Sequence, residues 1–459
     1  MLPIYTSYLS PADYGVIGLL IFLVSLFEII LGGHMFQAVP KFFHGEDKKE
    51  TKNSVVTTAF FVTTFFSGIA CIVMASFATP ISGIVFGDEK YKIYIVIFSF
   101  LILTHALEQY SLTYIRIIKR PWTFFNFSMA KLTLQLSLNI ITIVILDWGL
   151  MGLAISSLLS SIIISIVLTT YTFYNTGFRI NINIAINILK FSWPLWISGL
   201  IGLYIGSSNR YFIRIFSSLD DVGLFELAAK FGAIVGVLVW SPFSQYWQTE
   251  RFAIAKTENP YPAYSLAFRM IAALLLISGI WVNAFATTII QLMSASPFHP
   301  AVDAVPFLVL SGIFQSLTIF NNFSFMYCNR TFELTKNNIV AATMITMFYL
   351  ALIPFYGFVG ASIALAAGSI IQYSYALYSA NKLYPLKINQ KPLIVATLIL
   401  SLAALLDNFL ISQEISISTI SSKLLIVIPC TALVILSLFE KPELAGSKSH
   451  FLALLKRHS

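Results

Sequence analysis

The sequence predicts an all-α integral membrane protein, and its composition, its long apolar runs and its distribution of basic residues support this fold class. Of the 459 residues, 58% are hydrophobic and 10% are charged, whereas soluble domains contain about 25% charged residues. The mean hydropathy is +0.83. A water-soluble protein and a disordered chain are therefore both excluded, because 48 charges cannot solvate a chain of this size and because 15% of its residues are aromatic.

The apolar runs are long enough to cross a bilayer as helices, which requires about 20 residues each. Strands of a membrane β-barrel would instead alternate with a two-residue period over about ten residues. The thirteen predicted helices lie near 13–39, 54–77, 93–114, 124–146, 150–173, 191–208, 221–245, 267–289, 303–327, 337–355, 358–380, 392–406 and 419–439.

Basic residues are divided unequally between the two sides of these helices. If the first predicted helix runs from outside to inside, 21 of the 28 lysines and arginines lie in connections on the inner side. Five lie on the outer side, among them Lys423, and two (Lys131 and Lys230) lie within helices. Cytoplasmic connections carry such an excess. The C-terminus is therefore predicted to be cytoplasmic, and the net charge of +8 requires no nucleic-acid partner.

The chain contains an internal repeat with an offset of about 208 residues. Because an even number of helices separates the two copies, both have the same membrane orientation, as in transporters with parallel repeats. Segment 13–15 matches 221–223, Gln37 matches Gln245 and segment 149–152 matches 357–360 at 208 residues, while Lys119-Arg120 matches Asn329-Arg330 at 210.

The repeat predicts a domain organisation for the whole chain. An N-terminal bundle spans 1–175, a C-terminal bundle spans 176–385, two additional transmembrane helices span 386–440, and a cytoplasmic tail spans 441–459. The helix that precedes Asp221 has no counterpart before residue 1. We therefore expect about 13 visible helices of 14, with the first helix largely missing, either lost or excluded by a coding start that is set too late.

Ionisable residues within the predicted helices are functional candidates, because charges are costly in hydrocarbon. Glu108 and Lys131 lie at similar depth on neighbouring antiparallel helices, and we predict that they pair; Glu28 has no evident partner. The residue pairs 131/135 and 226/230 are each four apart and share a helix face. Such pairs also fit a purely structural role in helix packing. The predicted substrate pathway comprises Glu28, Gln37, Glu108, Lys131, Gln135, Asn209, Arg210, Glu226, Lys230 and Gln245.

Several short motifs resemble those of one family. They are Leu-Pro-Ile-Tyr at 2–5, Tyr-Leu-Ser-Pro-Ala-Asp-Tyr-Gly at 8–15, Phe-Ser-Trp-Pro at 191–194, Asn-Arg-Tyr-Phe at 209–212 and Asp-Val-Gly-Leu-Phe at 221–225. Together they resemble bacterial repeat-unit flippases for O-antigen, capsule or exopolysaccharide, within the multidrug/oligosaccharidyl-lipid/polysaccharide exporter superfamily. That family commonly has Asp-Arg where this chain has Asn209-Arg210, so Arg210 lacks a neighbouring carboxylate.

The resemblance implies two pseudo-repeated six-helix bundles around a central cavity, plus two C-terminal helices. It also implies transfer of undecaprenyl-pyrophosphate-linked oligosaccharide across the bacterial inner membrane for polysaccharide or lipopolysaccharide synthesis, by alternating access coupled to an H⁺ or Na⁺ gradient. Expected partners are this lipid-linked substrate, the coupling ion, membrane lipids and the polysaccharide polymerase machinery. We expect no catalytic residues, cofactor or metal site; the three cysteines lie in apolar stretches without ligand spacing.

Other functions are open from sequence. A multidrug or cation transporter and a lipid II transporter belong to the same superfamily, although bases as numerous as acids within the helices favour an anionic cargo. An enzyme, such as a membrane polysaccharide polymerase or glycosyltransferase, is disfavoured because the external loops near 78–92 and 290–302 are short and lack an acid/base pair. The sequence also lacks the phosphate-binding motif Gly-x-x-x-x-Gly-Lys-Ser/Thr, so ATP hydrolysis is not expected.

Overall fold

A computed structural model of the chain describes residues 2–31, 38–45, 48–330, 332–410 and 416–439. These residues are almost entirely helical, and no β-strand occurs among them. In chain order the helices are α1 (Leu2–Tyr8), α2 (Pro11–Ile30), α3 (Val39–His44), α4 (Lys49–Ser76), α5 (Ala78–Phe86), α6 (Lys92–Ile117), α7 (Pro121–Asn139), α8 (Gly149–Thr176), α9 (Ile182–Ser207), α10 (Asn209–Phe216), α11 (Leu219–Val235), α12 (Ser241–Ile254), α13 (Tyr261–Met293), α14 (Val305–Asn321), α15 (Phe323–Tyr327), α16 (Phe332–Leu383), α17 (Lys391–Leu410) and α18 (Ile417–Leu438).

The prediction of an all-α membrane protein is confirmed. Within the described residues, ten helical segments are long and apolar enough to cross a membrane. The longest, α16, contains the two predicted spans 337–355 and 358–380, which meet at a non-helical residue, Gly357. Two segments extend through short π-helical turns, Ile140–Ile145 after α7 and Gly236–Trp240 between α11 and α12. Eleven of the thirteen predicted spans overlap these ten segments, since α16 holds two of them, and the span predicted at 13–39 extends into residues 32–37, outside the described part. The spans predicted at 191–208 and 392–406 correspond to α9 and α17, which are not among the ten.

The start of α2 shows how one of the sequence motifs acts locally. The Ser10 hydroxyl accepts a hydrogen bond from the Asp13 backbone N–H (3.1 Å), and the Asp13 carboxylate accepts one from the Ser10 backbone N–H (3.0 Å). Pro11 occupies the first helical turn, where its missing N–H leaves no hydrogen bond unmade. The Ser-Pro-Ala-Asp sequence is thus a capping box that fixes where the first long helix begins.

The internal repeat is present in the backbone geometry. Lys119 and Asn329 have φ angles of 54° and 55°, and Gly149 and Gly357 have φ angles of 50° and 53°. Positive φ is uncommon for residues other than glycine, so its recurrence at matched positions is specific. The helices that open the two copies, α2 and α11, also begin 208 residues apart. Both copies therefore turn in the same way at the same two places.

A glycine three residues after each repeated glycine turn permits two helical segments to touch. A Cβ atom on Gly152 would lie 2.8 Å from the Thr142 carbonyl oxygen, and one on Gly360 would lie 2.5 Å from the Leu352 carbonyl oxygen. Because these obstacles are backbone atoms, a side chain at either position requires the helices to separate.

The contacts divide the chain into two units, Met1–Gly223 and Leu224–Ser459. In the first unit α6 packs against α4 and α8, and α2 packs against α6 and α9. In the second unit α14 packs against α16, and α13 packs against α14, α17 and α18. The predicted domain limits at 175, 385 and 440 stay predictions, and the tail predicted at 441–459 lies outside the described residues.

Substitution of the close-packed glycines is expected to destabilise the protein. Gly152→Ala and Gly360→Ala should each lower the stability by roughly 1–3 kcal/mol because backbone must move to accommodate the methyl group. Thermal unfolding in detergent, followed by size-exclusion chromatography, should show melting temperatures lower by several degrees. Gly202→Ala is the matched control, since no atom lies within 4 Å of its Cβ position in α9. Equal behaviour of all three variants would contradict the packing argument.

Candidate functional site

A polar cavity of about 320 Å³ lies within the first unit, among residues of α2, α4, α6 and α7. Four of its lining residues are ionisable, although each belongs to a helix that is apolar enough to span a membrane. Ionisable groups at such positions usually have a function in transport. The lining comprises Glu28, Thr63, Ser67, His105, Ala106, Glu108, Gln109, Tyr110, Leu112 and Lys131.

The predicted pairing of Glu108 with Lys131 is confirmed. The Lys131 ammonium donates a hydrogen bond to Oε2 of Glu108 and forms an ion pair between α6 and α7. The Glu108 side chain is 6% exposed and that of Lys131 is 29% exposed, so the carboxylate is the more buried partner. Its second oxygen, Oε1, is buried and has no hydrogen-bond partner in the described part of the chain. One acceptor of this carboxylate is therefore available to a proton or another donor.

Glu28 has a partner that the sequence did not reveal. Its Oε1 atom lies 3.6 Å from Nδ1 of His105, across the contact between α2 and α6. This distance is too long for a hydrogen bond, so the attraction depends on the charge of the imidazole. The sequence showed no partner for Glu28 because α6, which packs against α2, is separated from it in sequence by three helices, α3, α4 and α5.

The charges of the cavity sum to zero only after it takes up a positive charge. With both carboxylates ionised, Lys131 charged and His105 neutral, Glu28, Glu108 and Lys131 give a net charge of −1. One proton, on the imidazole or on a carboxylate, brings the sum to zero. The cavity thus carries two carboxylates against one ammonium, an excess of one acidic group.

Three further predicted pathway residues of the first unit lie apart from this cavity. Gln135 is half-buried one turn beyond Lys131 on α7, and it does not line the cavity. Asn209 is 2% exposed at the start of α10, and its side-chain oxygen has no hydrogen-bond partner among the described residues. Arg210 follows it and is half-buried. Their proposed place on a substrate pathway stays a prediction.

The remaining predicted residues belong to the second unit or lie outside the described part. Glu226 and Lys230 share α11, where the carboxylate acts electrostatically on the ammonium. Gln245 is exposed on α12. Gln37, its counterpart in the repeat, lies outside the described residues. A role of these four residues in transport also stays a prediction.

A second intramembrane ion pair was missed in the sequence. The Lys423 ammonium of α18 lies 3.3 Å from the Asp407 carboxylate of α17 and donates to the Ala284 carbonyl oxygen of α13 at 2.5 Å. Both charged side chains are buried. The assignment of Lys423 to an outer connection is wrong because α18 already begins at Ile417. The sequence did contain a signal for this pair: an acid, Asp407, and a base, Lys423, lie on either side of the short connection between two apolar runs.

A double-mutant cycle tests the pair in the cavity. Lys131→Met should destabilise the protein by about 3–5 kcal/mol because it leaves Glu108 buried without its counter-charge. The double variant Glu108→Gln/Lys131→Met should be markedly more stable than Lys131→Met alone, as measured by unfolding in mixed detergent and SDS micelles. The exposed pair Glu50–Arg179 is the control, and its coupling should stay below about 1 kcal/mol. Additive effects of Glu108→Gln and Lys131→Met would show that no coupling exists.

Comparisons with known proteins identify a family for the sequence and related structures for the fold. Residues 6–303 match the family model described as "Polysaccharide biosynthesis protein". No curated protein matches the chain. Among solved structures, the lipid II flippase MurJ in an inward closed conformation superposes with a TM-score of 0.71 at 15% identity, covering 94% of each chain.

Multidrug resistance transporters of the MATE family, in the MOP superfamily, are also similar. An inward-facing structure gives a TM-score of 0.62 at 17% identity, covering 83% of this chain and 93% of the other. An outward-facing structure gives 0.58 at 16% identity, covering 83% and 90%. At these identities the likeness establishes the fold alone, a multi-pass all-helical fold. The family model covers well over half of the sequence, so the chain belongs to the polysaccharide biosynthesis protein family.

Proposed function

We propose that this protein is a flippase that moves undecaprenyl-pyrophosphate-linked oligosaccharide repeat units across the bacterial inner membrane. The observation that carries the proposal is the cavity containing Glu28, His105, Glu108 and Lys131 among membrane-spanning helices, in a chain of the polysaccharide biosynthesis family. The fold it shares with MurJ, a lipid II flippase, supports the same class of transport. The transported repeat units are then assembled into a surface polysaccharide: O-antigen, capsule or exopolysaccharide.

The cargo combines an anionic headgroup with a long apolar tail. A flippase must provide a hydrated path for the pyrophosphate and sugars while the tail stays in hydrocarbon. Arg210 and Lys230 are the cations that we assign to the headgroup, since guanidinium and ammonium groups both bind phosphate. Lys131 is engaged by Glu108 and belongs to coupling instead. Gln37, Gln135, Asn209, Glu226 and Gln245 complete the proposed polar path.

The coupling ion of this proposal is the proton. The cavity reaches a net charge of zero by binding one monovalent cation, and Lys131 already occupies it with a fixed positive charge. We take the proton as the coupling ion because the Glu28–His105 pair offers it a carboxylate and an imidazole. Histidine is the side chain whose protonation changes in the physiological pH range. Protonation there biases the two halves between inward-open and outward-open states, as in other transporters built from repeats.

The excess of basic residues on one side supports the proposed orientation. With the C-terminus cytoplasmic, the connections rich in lysine and arginine face the cytoplasm, as the positive-inside rule requires. The cargo then enters from the leaflet where it is synthesised and leaves on the periplasmic side. The polysaccharide polymerase machinery is the partner that would use it there.

Deletion of the gene in its native host tests the transport step. Lipid-linked repeat units should accumulate in the cytoplasmic leaflet and surface polysaccharide should disappear, because the polymerase no longer receives its substrate. Expression of the intact gene from a plasmid should restore both. Normal polysaccharide together with increased sensitivity to cationic drugs would refute the proposal and indicate a multidrug transporter.

Glu28→Gln tests the coupling site in proteoliposomes loaded with the lipid-linked oligosaccharide. A pH gradient should drive transfer by the intact protein, and the variant should lose this stimulation by at least about tenfold, since it removes the carboxylate that binds the proton. Transfer is measured by the access of periodate to the sugars at the outer leaflet. Glu50→Gln, at an exposed ion pair, serves as the control and should behave like the intact protein. Stimulation by a Na⁺ gradient, or full pH stimulation of Glu28→Gln, would refute proton coupling at this site.

A further inference from the structure

A second pocket, of about 270 Å³, lies in the second unit, among residues of α13, α14, α17 and the 3₁₀ helix Ser296–Ala304. Most of its wall is apolar, with Phe307 and Leu310 on α14 and Leu400 and Leu405 on α17. Two strongly polar side chains, Asn283 and Asp303, face this apolar wall. Such a combination suits an amphiphile, because one end of the ligand finds hydrogen-bond acceptors and the other finds hydrocarbon.

Asn283 supplies an acceptor that no protein group satisfies. The residue is 9% exposed in the C-terminal third of a membrane-spanning helix, and its side-chain oxygen has no hydrogen-bond partner in the described part of the chain. An unsatisfied polar atom at a buried position is unfavourable, and native proteins rarely retain one without a ligand, water or functional reason. A ligand that brings an N–H or O–H donor to this oxygen would remove the deficit.

Asp303 adds a negative charge to the same pocket. It belongs to the 3₁₀ helix Ser296–Ala304, and no ion pair of Asp303 occurs among the described residues. The Lys423 ammonium is held by Asp407 and by the carbonyl oxygen of Ala284, the residue after Asn283. The pocket therefore offers one carboxylate and one amide oxygen to a ligand that is both cationic and a hydrogen-bond donor.

The ligand must also have access from the bilayer. Leu405, on the α17 edge of the pocket, is 53% exposed, and α17 is an apolar helix of the membrane domain. An exposed apolar edge of this kind favours a ligand that arrives by lateral diffusion in the membrane.

We propose that this pocket binds the headgroup of a phospholipid that carries a primary ammonium, such as phosphatidylethanolamine, in the leaflet at the Ser296–Ala304 end of the protein. The ammonium satisfies Asp303 by charge and Asn283 by an N–H donor, while the acyl chains follow the apolar wall. A choline headgroup carries a similar charge but no N–H donor, so it leaves the oxygen of Asn283 unsatisfied. The site lies in a different unit from the cavity at Glu28 and does not depend on the identity of the transported cargo.

Native mass spectrometry of the full-length protein in detergent tests this assignment. Phosphatidylethanolamine, phosphatidylcholine and phosphatidylglycerol with identical acyl chains are titrated separately, and the apparent Kd of the first bound lipid is compared. We expect the ethanolamine lipid to bind at least about fivefold more tightly than the other two, the size typical of a charge-assisted hydrogen bond. Equal binding of ethanolamine and choline lipids to the unaltered protein would overturn the proposal.

Variants test whether the preference for phosphatidylethanolamine arises at this pocket. Asp303→Asn and Asn283→Leu should each reduce it to about twofold or less, because each removes one of the two interactions with the ammonium. Ala404→Phe, which fills the pocket, should reduce it without altering either polar residue. Asp147→Asn makes the same charge change in the first unit and should retain the full preference. Only variants that elute as a single peak are compared, and survival of the preference in those altered at the pocket would refute the site.

Free ethanolamine distinguishes a lipid site from a site for small amines. If the pocket binds a lipid, millimolar ethanolamine should leave the bound phosphatidylethanolamine in place, because the acyl chains supply much of the binding free energy. Displacement of the lipid by free ethanolamine would show that the pocket recognises soluble amines and would overturn the lipid assignment.

Discussion

A charge within a bilayer is tolerated only where an opposite charge or a hydrogen-bonding group lies beside it. This constraint bears on three places where helices of the protein meet. Glu108 on α6 is opposed by Lys131 on α7, Glu28 on α2 is opposed by His105 on α6, and a third pair joins α17 to α18. Each of these three pairs links two different helices. The interactions that compensate the charges therefore also hold those helices against each other. The candidate site is consequently built from the same residues that hold the first unit together.

The repeat duplicates the backbone but not this chemistry. Matched residues adopt positive φ in both copies, and matched glycines allow helical segments to touch in both. At an offset of 208, however, the four ionisable residues of the cavity correspond to uncharged ones: Gly236, Ile313, Ser316 and Ile339. The turn geometry is thus the same in both copies, whereas the ionisable residues of the cavity occur in only one of them.

The fold was predictable from sequence to a large extent, because membrane helices are long and their apolar runs are continuous. The pair Glu108–Lys131 was also predictable, since consecutive antiparallel helices place residues of similar depth beside each other. The contact between Glu28 and His105 was not, because hydropathy contains no information about which non-consecutive helices pack together. Lys423 was misplaced for a related reason: a single lysine near a helix end resembles a connection until its partner Asp407 is known. The pocket at Asn283 depends on three α-helices and a 3₁₀ helix and could not be foreseen from any one of them.

The ion pair between α17 and α18 also bears on how the protein is made. A lysine within an apolar segment opposes partitioning of that segment into lipid by about 2.5–3.5 kcal/mol at the centre of a helix. In α18 this penalty is offset when Asp407 of the preceding helix and the Ala284 carbonyl oxygen of α13 lie alongside. The two helices are thus suited to leave the insertion machinery together, as a hairpin, and not one after the other. Their short connection keeps acid and base close during that step, so membrane insertion and tertiary pairing of this segment become a single event.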